Sequence, residues 1–98
     1  MSSKPAAVQD AAETIALRAL AFLASDGERL GRFLALTGIG PTELRTQARE
    51  PHMLAGVLDH LMQDETLLMV FAAEAGVKPE TIAAAHFALT GPPAESSI

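Results

Sequence analysis

What most constrains this chain is the spacing of its helix-stopping residues. Asp26-Gly27, Gly38-Ile39-Gly40-Pro41, Glu50-Pro51, Asp64, Gly76 with Pro79, and Gly91-Pro92-Pro93 cut it into short runs. None of those runs alternates apolar and polar residues with period two. Between the stops the chain is rich in helix formers, with 19 Ala and 13 Leu, and sparse in β-branched and aromatic residues. The punctuation predicts helices over about 7–25, 28–37, 41–48, 51–63, 65–75 and 79–89. Asp26 and Asp64 suit N-caps, Gly38 and Gly76 suit left-handed C-caps, and Pro41, Pro51 and Pro79 suit first turns, where a missing N–H loses nothing. The expected fold is all-α: a compact bundle of five to six short helices in one domain over 7–91, with flexible termini at 1–6 and 92–98.

Sliding the chain on itself by 38 positions pairs residues of like structural role. Leu20 meets Leu58, Leu23 meets Leu61, Asp26 meets Asp64, Leu30 meets Leu68 and Phe33 meets Phe71. Gly38 then meets Gly76, Ile39 meets Val77, Pro41 meets Pro79 and Leu44 meets Ile82. The domain therefore reads as two pseudo-repeated three-helix units, too few for a solenoid and expected to pack on each other. The copies differ where Leu67 and Val70 replace Arg29 and Arg32. The helix over 65–75 is apolar almost all round, which predicts a central position, and its counterpart over 28–37 should lie at the surface.

Ninety-eight residues allow one core. The absence of cysteine rules out thiol catalysis and cysteine–zinc chemistry. The longest uncharged apolar run, Thr66 to Ala73, is far short of the ~18 residues a membrane span needs, and no targeting segment is visible, so a cytosolic location is expected. The net charge of −5 is unevenly divided: residues 18–49 sum to +2 and residues 50–98 to −6.

The stretch Leu20 to Leu34, with Asp26-x-x-Arg29-Leu30-x-Arg32-Phe33 at its heart, Thr37-Gly38-Ile39-Gly40-Pro41, and Val57-Leu58-Asp59-His60-Leu61 together resemble a family of small all-helical alphaproteobacterial proteins described only as a domain of unknown function. The resemblance spans about residues 11–91. It implies a stand-alone bacterial cytosolic domain and brings no catalytic residues.

The sharpest functional motif is a helix–turn–helix over Ala72 to Ile82, but the helix after it, Pro79 to Leu89, has no Arg, Lys, Asn or Gln to reach base edges. The acidic excess also leaves little counterion-release affinity, so nucleic acid is disfavoured and remains the alternative reading. Arg29, Arg32, Arg45 and Arg49 form pairs at helical spacing and are candidate anion contacts, against a solvated face with Glu28 partnering Arg32. His60 and Asp64 are spaced as two metal ligands without a third, and Asp64 is better used as a cap. His86, on a face with Ile82 and Leu89, reads as a core or interface histidine, and His52 as exposed. Met53, Met62 and Met69 read as core filling. Leu17 and Leu20 widen the apolar arc of the first helix and are the candidate interface, set against burial between the units. No Ser–His–Asp order or paired carboxylates point to an enzyme. The expectation is a protein-binding or self-associating module without cofactor or metal, its partner another protein or a second copy.

Overall fold

The computed structural model describes residues 4–90, and within them the chain forms six helices and no strand. These are α1 (Lys4–Ala24), α2 (Gly27–Thr37), α3 (Pro41–Gln47), α4 (Pro51–Met62), α5 (Glu65–Ala75) and α6 (Pro79–Thr90). The expected boundaries hold to within a residue or two except at the start. There α1 begins at Lys4, three residues before the expected start, with Pro5 in its first turn. The expectation of flexible termini otherwise falls on residues 1–3 and 91–98, outside the described residues.

The punctuation acts through local bonds. Asp26 extends its backbone and its Oδ1 accepts from the N–H groups of Glu28 (2.9 Å) and Arg29 (3.3 Å), and Asp64 Oδ1 accepts from Leu67 N–H at 3.1 Å. At the other ends Gly38 (φ 77°) and Gly76 (φ 70°) turn left-handed, and their N–H groups return to Leu34 and Ala72 carbonyls. A side chain would be strained at both sites, which is why glycine stands there.

The centre of the molecule is α4, not α5. Met53, Leu54, Ala55, Val57, Leu58 and Leu61 of α4 are all buried, whereas α5 buries only Phe71 and Ala72 and leaves Met69 half exposed. The broad apolar arc of α4 is covered by α1, α5 and α6 together. The all-round apolarity of α5 is partly spent on solvent, since hydrophobicity without a partner on each side does not bury a helix. One apolar cluster joins Ala12, Ala16, Ala19, Phe22 and Leu23 of α1 to Phe33, to the α4 row, and to Phe71, Ile82 and Ala85.

The repeat is real in its first two helices. The caps match, Leu23 and Leu61 are both fully buried, Leu30 and Leu68 are both half-buried, and Phe33 and Phe71 are both buried. Their neighbours match as well. Phe71 packs on Phe22 with ring centroids 5.3 Å apart, and Phe33 packs edge-on against His60 at 5.1 Å. Positions 22 and 60 are themselves 38 apart, so each unit sends its second-helix Phe into the first helix of the other. That reciprocity is the contact pattern of a two-fold axis, here inside one chain. The third helices break it. α6 packs across α1 and α4, whereas α3 has no buried residue and rests on half-buried Leu44.

Candidate functional site

The two-fold relation generates a pair of matching surface clefts. One lies between α1 and the C-terminal end of α5, about 270 Å³, bounded by Arg18, Ala21, Phe22, Ser25, Glu74 and Ala75. Shifted by 38, those positions become Gly56, Asp59, His60, Gln63, Leu36 and Thr37. All six line the other cleft, about 570 Å³, between α4 and the end of α2, together with Arg32, Asp64 and Glu65; Phe71 also lines the smaller cleft, but its equivalent Phe33 does not line the larger one.

The matching positions carry different chemistry. In the smaller cleft Arg18 crosses from α1 and its Nη2 donates to the Ala75 carbonyl at 2.9 Å. It thereby meets the negative end of the α5 dipole. In the larger cleft the equivalent of Arg18 is Gly56, which has no side chain to send toward Thr37, the last residue of α2. A Cβ built on Gly56 would meet nothing within 4 Å. The lining holds Asp59, Asp64 and Glu65 against the single cation Arg32. Asp59 is already engaged: its Oδ2 accepts from Gln63 Nε2 at 2.7 Å, and its Oδ1 lies 3.9 Å from His86 Nε2.

His60 stands where the other unit has Phe22. Its Nε2 is covered and has no hydrogen-bond partner. Burial pushes its pKa below the ordinary value of 6.5; Arg32 pushes the same way, and Asp64 and Asp59 oppose both. Sequence spacing paired His60 with Asp64 as metal ligands, but Asp64 spends its Oδ1 on the α5 cap. Among the described residues no three His, Asp or Glu side chains converge on a point that could hold a metal ion.

The four candidate arginines are not brought together. Arg29 lies over the Phe22 ring, 4.5 Å from its centroid, and 4.0 Å from Asp26 Oδ2. Arg29 and Arg32 share a depression with Glu28, Asp64 and Leu67, where two acids balance two bases. Arg45, on α3, and Arg49, just past it, are exposed and line neither place. His52 is exposed, its Nε2 3.1 Å from Gln47 Oε1. Met53 fills the core as expected, but Met62 and Met69 are exposed.

Leu17 and Leu20 are half-buried and packed against the core cluster, which leaves little of either for a partner. The apolar surface lies elsewhere, along the seam of α1 with α6. Val8, Ala11, Ala12 and Ile15 face Thr81, Ala84, Ala85 and Ala88 across a groove of about 210 Å³, and none of these eight is charged. Both rows follow the i, i+3, i+4, i+7 spacing of one helix face. Phe87, 62% exposed, stands on α6 beside it, and the exposed side of that helix carries Glu80, Ala83, Ala84 and Phe87. The second helix of the Gly76 hairpin carries no Arg, Lys, Asn or Gln. Sequence reasoning missed this groove. The signal was the row Ala84, Ala88, whose small size leaves a trough where two helices meet.

The model of a family described as a protein of unknown function, DUF3572, matches residues 9–92 of the chain. No curated protein and no solved structure matches it.

Proposed function

Because the chain belongs to the DUF3572 family of proteins of unknown function, a premise that carries no activity with it, we propose a function from the surface: a non-enzymatic interaction module whose α1/α6 face is covered by a second copy of the chain. The proposal keeps the bacterial cytosolic setting that the sequence resemblance implies. The observation that carries it is a knob beside a hole. Phe87 stands proud of the same helix that lines the uncharged groove. Exposed aromatic side chains are the commonest interface anchors. An apolar cavity of about 150 Å³ accepts benzene, so the groove has room for a phenyl ring. Phe87 lies on α6 next to Ala84 at the groove's edge by helical spacing, and a two-fold pairing can seat each Phe87 in the other molecule's groove. By helical spacing Asp10 and Glu13 lie on the opposite arc of α1, whereas Glu80 shares the exposed side of α6 with Phe87 and must stay in water at the edge of the contact.

Sedimentation equilibrium of the full chain from micromolar to millimolar concentration tests the reading. The native chain dimerises, and Phe87→Glu weakens the dimer at least about tenfold, the effect of losing one modest anchor. Circular dichroism should be unchanged, since the side chain is already in water. A native chain that stays monomeric at every concentration overturns the second copy as occupant, and a dimer that survives Phe87→Glu overturns the choice of face.

A further inference from the structure

We propose that the α2/α4 cleft is a binding site for a guanidinium group. This cleft is separate from the α1/α6 face. The two clefts are equivalents under the 38-residue relation, and the smaller already shows what its architecture accepts: the guanidinium of Arg18, donating to the carbonyl that ends α5. The larger cleft repeats the acceptor side. Thr37 ends α2 as Ala75 ends α5, and each is followed by a left-handed glycine that stops the helix. The side chain that fills the smaller cleft has no counterpart at its own position, because Gly56 stands where Arg18 does; Arg32 enters the lining from a different place, where the other unit has Val70.

Around the vacated position three acids face one base, although the exchange of Glu74 for Leu36 offsets that of Ala21 for Asp59. Ala21 is replaced by Asp59 and Ser25 by Gln63, and the larger cleft adds Asp64 and Glu65, with Arg32 as the sole positive charge of its lining. On the rim Leu36, 71% exposed, occupies the place of Glu74. An apolar rim suits the methylene stem that carries a guanidinium. A planar fork of donors can address a helix-end carbonyl and a carboxylate at once, which a compact ammonium does less well. The ligand chemistry is therefore an arginine side chain of a partner polypeptide or a free guanidine compound.

The test is a nitrogen-15 NMR titration of the full chain with Nα-acetyl-arginine amide, its lysine counterpart, and a tetrapeptide containing one arginine. The arginine amide should give saturable shifts confined to Thr37, Gly38, Gly56, His60 and Gln63. It should bind at least threefold tighter than the lysine amide. Gly56→Arg, which restores the side chain of the matching cleft, should abolish binding. If that variant does not fold, Asp59→Asn should still weaken binding severalfold. A tetrapeptide at least tenfold tighter than the amide identifies a polypeptide source, and equal affinities identify the free compound. Absence of saturable shifts overturns the site, as does equal binding of arginine and lysine amides, or binding unchanged in the folded variants.

Discussion

At His60 the two units differ in a way that bears on stability. Phe22, its equivalent, is apolar and meets Phe71 ring to ring, whereas His60 meets Phe33 with a covered ring nitrogen that nothing satisfies. An unpaired buried polar atom costs stability that an apolar isostere would not. His60→Phe should therefore raise the unfolding free energy by about 1 kcal/mol, measured by urea denaturation at pH 7.5. The pH dependence carries a definite sign. Burial holds the folded pKa of His60 below 6.5, so the unfolded chain takes up a proton that the folded chain resists. The neutral form's share of stability is complete above that ordinary value and is lost as pH falls toward the folded one. His60→Phe should flatten that part of the acid limb, and a stability profile below pH 6.5 unaltered by the substitution would place the imidazole in water.

Among the elements, what local chemistry decides was legible in the sequence and what packing decides was not. Asp26 and Asp64 cap, Gly38 and Gly76 terminate, and Pro41, Pro51 and Pro79 open helices through bonds and sterics spanning four residues, so the helix ends could be read directly. Each left-handed glycine should therefore be replaceable by alanine only at a cost of about 1–2 kcal/mol. Thermal unfolding of Gly38→Ala and Gly76→Ala should show similar losses, because the two turns have nearly the same backbone. The place of α5 was misread because its composition says nothing about which of its sides finds a partner. The clefts were invisible for the same reason. They form where α2 meets α4 and α5 meets α1, and the 38-residue alignment pairs equivalent positions without saying that the units exchange contacts. Arg29 was read as an anion contact or a solvated side chain, and its place over the Phe22 ring was hidden because that ring lies on another helix, α1.

At the scale of the whole molecule, two hairpins share one core under an approximate two-fold, and an asymmetric third helix completes only one of them. α6 seals the seam between α1 and α4, and in doing so forms the apolar groove, whereas α3 has no fully buried residue and links the halves. The crossed aromatic pairs have a consequence for how the chain acquires this shape. Neither half holds its own ring partner: Phe33 needs His60, and Phe71 needs Phe22. A piece comprising residues 1–50 would leave Phe33 facing water, and residues 51–98 would do the same to Phe71. Each peptide alone should therefore lack stable tertiary structure, and an equimolar mixture should recover helical signal and a cooperative melt. Independent folding of either peptide, followed by circular dichroism, would mean that the exchanged rings decorate two self-sufficient units. Regained structure on mixing would mean that the molecule assembles as a dimer does, with its two subunits tied together by a single strand of peptide between α3 and α4.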